Sequence, residues 1–219
     1  YDGSENDYVE KLKFSLLSKK ETARFPDDKE FAREFETRPV YQMNSKNKIY
    51  ILERLENSGT SEDKDVYRHY DDGTYSIEHI MPQHLTPRWQ KELGDDYAKV
   101  QEEWLHRIAN LTLTAYNSSY SNNSFTEKKT MKNGFDESGI RLNTWIAKKD
   151  KWTQAELAER SEYLADKALS IWPSPTTRYK PKEKQFDSYT LEDDVDFRGR
   201  SIVKFSFKNT EQPVSTWVE

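Results

Sequence analysis

The spacing of apolar residues predicts helices along most of the first 172 residues. Apolar side chains recur every three or four positions in several segments, the pattern of a helix with one buried face. These segments lie at about residues 7–19, 26–36, 45–56, 87–93, 95–105, 125–132 and 153–171. Pro26 stands at one predicted helix start, and Asn44 or Ser45 is expected to cap another. Thr153 with Glu156 forms a capping-box pattern at a third. A helix-rich domain is therefore expected.

Runs of alternating or β-branched residues predict a few short strands between these helices. The two clearest are residues 76–80 and the run that starts at Ile108 and leads into Asn117. Residues 67–70 are a weaker strand candidate, and residues 138–145 fit either a strand or a helical turn. Asn117 carries a helix N-cap signal ahead of the helix at 125–132.

The order of these elements predicts the fold class. Two strands separated by a helical insertion, then a helix, give a ββα arrangement at about residues 74–133. The expected fold is α+β and mostly α-helical, with a helical scaffold in residues 1–172. A Pro- and Lys-containing linker is predicted at 173–188, followed by a small β-rich appendage at 189–219. Within the appendage, alternating residues predict a strand at 198–207, and a turn is expected at 209–213.

Composition narrows the class of protein. The chain has 219 residues with 34% apolar and 33% charged residues, and no cysteine. The lack of cysteine excludes disulfides and Cys-ligated zinc, and it suits a reducing cytoplasm. No segment has the apolar length of a membrane span or the features of a secretory signal, so no membrane partner is expected. The chain starts without methionine, which suggests a fragment of a larger protein.

Candidate chemistry begins at Glu78 and His79, which end the first motif strand just before Pro82. Pro82 stops the strand and fixes its own backbone, so an acid and a histidine are held at one rigid place. The two side chains of a straight strand point to opposite faces. These residues alone fit an ordinary surface pair as well as a functional one.

Taken together, EHIMPQ and ANLTLTAYNSSYSN resemble the signature of HNH nucleases, also called ββα-metal or His-Me finger nucleases. More specifically, the chain resembles the C-terminal nuclease domain of GmrSD-type, modification-dependent restriction enzymes. The resemblance spans about residues 12–172 and includes RFPDD at 24–28 and YILERLE at 50–56. In a minimal ββα finger a simple loop joins the strands, so the helical insertion is a departure from the pattern.

The resemblance implies roles for individual residues. His79 matches the general base, and Glu78 and Asn117 match the ligands of one Mg²⁺ or Mn²⁺ ion. Asn110 matches the loop asparagine that steadies the fold or orients the base. Asn122 or Asn123 are alternatives to Asn117 as the ligand borne by the helix. His106 is a further candidate ligand or phosphate contact, although a histidine at a helix end is more often a cap.

Basic residues near the motif predict where DNA binds. The formal net charge is −5, whereas a protein that binds DNA over a large surface is usually basic. A local cluster of basic residues is therefore the better indication of a DNA-binding site. The candidates for phosphate contact are Lys128, Lys129, Lys132, Arg141 and Lys148. A solvated helix face would give the same pattern of charges.

The expected function is a metal-dependent DNA endonuclease domain acting on foreign or modified double-stranded DNA in a bacterial or archaeal cytoplasm. Full-length members of the family carry an N-terminal NTP-hydrolysing domain, and with 7 glycines and no phosphate-binding glycine loop this fragment has no NTP site. A homodimer would suit cleavage of both strands. The appendage at 189–219 resembles the start of RAMA-like modules. A non-catalytic DNA-binding or docking module and a ribonuclease toxin of the same fold are the alternatives.

Overall fold

The computed structural model describes residues 5–181, 187–190, 192–208, 210–214 and 216. The chain divides into two compact units, Tyr1–Tyr179 and Lys180–Glu219. The finer limits expected at residues 172 and 188 stay predictions. Residues 182–186 of the expected linker lie outside the described part of the chain.

Helices make up most of the regular structure of the first unit. They are α1 (Glu5–Leu17), α2 (Asp28–Thr37), α3 (Ser45–Asn57), α4 (Val66–Asp71), α5 (Pro87–Leu93), α6 (Tyr97–Trp104), α7 (Asn117–Tyr120), α8 (Phe125–Thr130), α9 (Arg141–Ala147) and α10 (Gln154–Ile171). Short 3₁₀ turns lie at Glu21–Ala23, Val40–Gln42, Ile108–Asn110 and Phe135–Glu137. The structure is 50% helical, which confirms the expected mostly helical α+β class.

Polar side chains close several helix starts as the sequence predicts. The Asn44 side chain accepts a hydrogen bond from the Asn47 N–H at the start of α3, at 2.9 Å. Thr153 and Glu156 form the expected capping box at the start of α10. Each of these bonds satisfies a backbone donor that the first helical turn would leave unpaired.

A two-stranded antiparallel sheet positions the motif residues. Strand β1 (Ser76–His79) pairs with β2 (Leu111–Thr114), so that Glu78 lies opposite Thr112 and His79 opposite Leu111. Helices α5 and α6 lie between the two strands along the chain, which confirms the predicted helical insertion.

Residues in and directly after β1 belong to two apolar clusters of the first unit. Ile77, Leu111 and Leu113 belong to one cluster, together with residues of α3 and α10. Ile80 and Met81, at the end of β1, belong to the other, which includes Trp89, Phe125 and Trp152. Because side chains alternate along a strand, Ile77 and His79 lie on one face of β1 and Glu78 lies on the other.

Some predicted elements differ in the structure. The prediction of a strand at 67–70 is wrong, because this segment lies in α4, whose first turn is capped by Asp65 through the Arg68 N–H at 3.0 Å. The predicted second strand begins later, since Ile108–Asn110 is a 3₁₀ turn. The ambiguous segment 138–145 is helical from Arg141 onward.

The second unit contains one antiparallel hairpin of β3 (Lys204–Phe207) and β4 (Thr210–Pro213). The strand predicted at 198–207 is therefore shorter than expected. The turn predicted at 209–213 is wrong from Thr210 onward. Lys208, with a φ of 48°, stands between the strands, and Asn209 lies outside the described residues.

Among the residues described, none of the helices combines the length and the apolar character needed to cross a bilayer.

Candidate functional site at the end of the first strand

The outer edge of β1 is covered by side chains from α7 and α8. The Ile80 N–H donates to the Asn110 carbonyl at 3.0 Å, so Ile80 faces β2 and the carbonyls of Ile77 and His79 point away from it. The Asn117 amide donates to the Ile77 carbonyl at 3.4 Å. The Lys128 ammonium donates to the His79 carbonyl at 2.9 Å. Two helices thus bring polar side chains to the free edge of the motif strand.

Glu78 pairs with Lys128 in the protein interior. Its Oε1 atom accepts from Lys128 Nζ at 2.5 Å, and the two residues are 3% and 0% exposed. Lys128 also donates to the carbonyls of His79 and Ile80, at 2.9 and 3.2 Å. Burial raises the pKa of Glu78 to about 7 and lowers the pKa of Lys128, while the charge of each partner opposes the shift of the other.

His79 is enclosed by two other rings. Its Nε2 atom lies 3.3 Å from Nδ1 of His106, and its ring makes an edge contact with Tyr41 at 4.3 Å between centroids. Tyr41 also stacks on His106 at 5.5 Å and 10°. Burial lowers the pKa of His79 to about 3, and the charges of His106, Lys128 and Lys48 add to this effect. Burial therefore keeps the free imidazole neutral at physiological pH and also makes it a weak base.

The two motif side chains have separate surroundings. Glu78 meets Lys128 from α8, whereas His79 meets Tyr41 from the Val40–Gln42 turn and His106 from the end of α6. This agrees with the alternation expected along a strand. The strand ends directly after His79, and the backbone bends at Ile80 and Met81.

Asn110 fastens the turn that follows the motif. Its Oδ1 atom accepts from the Met81 N–H at 2.8 Å and from Trp152 Nε1 at 3.3 Å. Its amide donates to the carbonyls of Met81 and Leu105, at 2.9 and 3.1 Å. The side chain is fully buried, so its contacts with described residues are those of a structural clamp on the segment after His79.

The asparagines of the second motif differ in their contacts. Asn117 is exposed and is the first residue of α7, whose N-cap is Tyr116, so the predicted N-cap role of Asn117 is wrong by one position. Asn122 and Asn123 are also exposed, and the Asn123 amide donates to the Ser119 carbonyl at 3.1 Å. Among these three, the described hydrogen bonds link only the Asn117 side chain to β1.

The basic residues predicted to contact DNA have different surroundings. Lys128 does not reach the surface, so the expectation of a phosphate contact for it is wrong in this conformation. Lys129 pairs with Asp136 at 2.8 Å, and Arg141 is held by Asn57 at 3.4 Å and by the Glu62 carbonyl. The two that are exposed, without an ion pair to a described residue, are Lys132 and Lys148.

Two nearby residues were not placed at this site by the sequence. Lys48 lies beside the histidine pair, donating to the Tyr41 carbonyl at 3.2 Å with its ammonium 4.6 Å from the Tyr41 ring centre. Tyr41 itself is distant along the chain from both histidines, and no local pattern signals the contact. For Lys128 a signal does exist: it stands three residues after the apolar Phe125 and so shares its buried helix face.

The oxygen donors at this edge are chemically suited to a hard divalent ion. Carboxylate and amide oxygens are the ligands that Mg²⁺ prefers, and it commonly uses one or two carboxylates with water and substrate phosphate. Glu78 and Asn117 provide one of each. The described residues contain no group of three or more His, Asp or Glu arranged to hold a metal, so substrate and water would have to supply further ligands.

Comparison with known families identifies one match. The model of the family described as GmrSD restriction endonucleases, C-terminal domain, matches residues 25–167, well over half of the chain. The matched region contains β1, β2 and every residue of the cluster around His79 described above. No individual curated protein matches the chain significantly.

Proposed function

Since this chain belongs to the GmrSD restriction endonuclease family, as a C-terminal domain, we propose that it is a metal-dependent DNA endonuclease domain of the HNH type. Its substrate is foreign or modified double-stranded DNA, and it hydrolyses phosphodiester bonds. The supporting observation is the set of polar side chains on β1 and at its edge. Glu78 and His79 end this strand on opposite faces, and the Asn117 amide reaches the Ile77 carbonyl of the same strand from α7.

His79 is the general base of this proposal. The imidazole takes a proton from water as the water oxygen bonds to phosphorus. One phosphorus–oxygen ester bond breaks, and the leaving oxygen takes a proton from solvent water to become a hydroxyl group. A base must hold a lone pair at the working pH, and burial keeps the His79 ring in that form. The same burial makes the ring a weak base in the empty site, so the negative charge of a bound phosphate would have to raise the pKa of His79 towards the working pH. Lys48, beside the histidine pair, contributes positive charge near the phosphate.

Glu78 and Asn117 are the residues that would hold the divalent ion, Mg²⁺ or Mn²⁺. A bound ion supplies charge stabilisation for the developing negative oxygens of the phosphate. Asn117 is exposed and directs its amide nitrogen to the Ile77 carbonyl, which leaves its oxygen for another partner. Lys128 fixes the other donor by holding one oxygen of Glu78.

The remaining partners are proposed from the family. The full-length protein would carry an N-terminal NTP-hydrolysing domain, and a homodimer would allow both strands to be cut. Exposed lysines of this domain, Lys132 and Lys148, would contact the DNA backbone. Such contacts position the duplex and do not read its sequence.

One observation favours a second candidate, a non-catalytic DNA-binding or docking module. The Glu78 carboxylate is already engaged by an ammonium, an arrangement that a purely structural ion pair would also give. The nuclease remains the better supported function because the chain belongs to a family of restriction endonucleases.

The experiment that separates the two candidates is a plasmid assay. We expect the purified chain to convert supercoiled plasmid to nicked or linear forms with Mg²⁺ or Mn²⁺, and EDTA to stop the reaction. An excess of RNA should not protect the plasmid. DNA binding without cleavage, on both unmodified and base-modified plasmid with either ion, would favour the non-catalytic module.

A further inference from the structure

The closest polar neighbour of the His79 ring is the ring of a second histidine. His79 Nε2 and His106 Nδ1 are 3.3 Å apart, within hydrogen-bonding distance. The His79 Nδ1 atom has no hydrogen-bond partner among the described residues. It is not fully buried either, so solvent can reach it. The contact therefore involves one nitrogen of the ring and leaves the other open.

Other contacts hold the His106 ring in place. Tyr41 stacks on it nearly in parallel, and the Tyr41 N–H donates to the His106 carbonyl at 3.1 Å. Tyr41 also meets the His79 ring at its edge. One tyrosine thus holds the two imidazoles in a fixed relative position, so packing and a backbone hydrogen bond support the contact between their nitrogens.

Two neutral imidazoles joined in this way share one proton in the contact, which leaves two arrangements. In the first, Nε2 of His79 donates to Nδ1 of His106, and Nδ1 of His79 keeps a free lone pair. In the second, Nδ1 of His106 donates to Nε2 of His79, so His79 carries its proton on Nδ1 and has no free lone pair. Only the first leaves His79 able to accept a proton.

The intrinsic preference of histidine favours the first arrangement. In water the neutral ring is more stable with its proton on Nε2 than on Nδ1. The first arrangement places both histidines in this preferred form, and the second places both in the other form. The partner on one ring nitrogen thereby decides which nitrogen does the chemistry, as in other histidine sites.

We propose that His106 is a positioning residue that accepts the Nε2–H of His79 and thereby presents Nδ1 of His79 to the attacking water. The inference rests on the proposed nuclease function, in which His79 is the base. His106 does not touch the reacting atoms. It sets the tautomer and the ring orientation of the residue that does.

The tautomer can be measured without DNA. The whole chain, labelled with ¹⁵N, contains four histidines, which single substitutions would assign in a two-bond ¹H–¹⁵N correlation spectrum of the imidazoles. We expect the neutral His79 ring to carry its proton on Nε2, with Nδ1 unprotonated. A proton on Nδ1 of His79 would overturn the inference. Because this spectrum is independent of cleavage, its result stands apart from the success or failure of the nuclease assignment.

A pair of variants at one position tests the consequence for cleavage. In His106→Asn the Asn Oδ1 atom takes the place of Nδ1 and can still accept a hydrogen bond, whereas His106→Phe keeps a ring but has no acceptor. We expect His106→Phe to lower kcat for plasmid cleavage about 10–100-fold, with KM nearly unchanged, as for loss of a residue that orients a histidine. His106→Asn should recover most of the loss. Equal rates for the two variants would contradict the positioning role.

Discussion

The ammonium of Lys128 lies 2.5 Å from Oε1 of Glu78, and both groups are buried. The same ammonium also bonds to the carbonyls of His79 and Ile80. One side chain from α8 therefore fastens both the acid of the motif and the backbone directly after it. This relationship links the packing of the helix to the geometry of the candidate catalytic site.

Removing the ammonium should destabilise the fold. Lys128→Met would leave the Glu78 carboxylate buried without its partner, which typically costs about 3–5 kcal/mol of unfolding free energy. Urea unfolding monitored by tryptophan fluorescence measures the loss. Lys132→Met, on an exposed lysine of the same segment, should change stability by no more than about 0.5 kcal/mol. Similar losses of unfolding free energy in the two variants would mean that the buried ion pair stabilises the fold no more than an exposed lysine does.

Asn110 should matter for stability before it matters for chemistry. Asn110→Ala removes four hydrogen bonds and leaves the Met81 N–H and carbonyl without their side-chain partner. Unpaired buried polar groups cost about 1–3 kcal/mol each, so the two groups of Met81 alone imply a loss of about 2–6 kcal/mol in urea unfolding. Asn122→Ala, at an exposed asparagine, is the control. A fully stable Asn110→Ala protein would point to a role other than the clamp.

Local sequence signals predicted the elements that carry the motif. The order strand, helices, strand and helix was visible because apolar spacing and polar caps such as Asn44 and Thr153 act over a few residues. The end of the first strand near Pro82 was visible for the same reason. The short 67–70 segment was assigned wrongly because Asp65, just outside it, caps a helix that the apolar pattern alone does not reveal.

The surroundings of the motif could not be predicted in this way. Tyr41 and His106 contact His79 from distant parts of the chain, and Lys48 bonds to Tyr41. A periodic sequence pattern does not reveal contacts of this kind. A cluster of lysines in the sequence suggested one basic face, but Lys128 turns inward because it shares the face of Phe125. Fewer of the clustered lysines are therefore exposed than the sequence suggested.

The exposed lysines should contribute to DNA affinity. Lys132→Ala and Lys148→Ala should each weaken binding and reduce the slope of log K against log salt concentration by about 1, the loss of one phosphate contact. Fluorescence anisotropy with a labelled duplex at several salt concentrations measures both. Lys19→Ala, an exposed lysine beyond the end of α1, serves as the comparison. An unchanged salt slope in Lys132→Ala and Lys148→Ala would place the DNA elsewhere on the surface.

The attachment of α1 should depend on pH through Glu10. Its carboxylate accepts from the Arg178 N–H at 2.6 Å and from Lys13 at 2.9 Å, and these contacts lower its pKa from 4.5 to about 2. A carboxyl with a lowered pKa stabilises the folded state fully above its ordinary pKa and loses that effect as the pH falls through the lowered value. We therefore expect wild type to melt at a higher temperature than Glu10→Gln above pH 4.5, with the gap closing towards pH 2.

Calorimetry of both proteins between pH 6 and pH 2 measures this gap. Glu21→Gln, an exposed acid in the turn after α1, is a control that should show no comparable closing of the gap. A constant difference between wild type and Glu10→Gln over the whole range would show that ionisation of Glu10 does not hold the helix.

The most direct test of the nuclease mechanism compares two histidines of the same protein in a plasmid cleavage assay with Mg²⁺ or Mn²⁺. His79 is buried at the end of β1, and His84 is exposed in the following loop. The account predicts that His79→Ala lowers the cleavage rate about 10²–10⁴-fold, the usual contribution of a general base, while DNA affinity stays close to wild type and His84→Ala cleaves normally. Cleavage by folded His79→Ala at the wild-type rate would contradict the account.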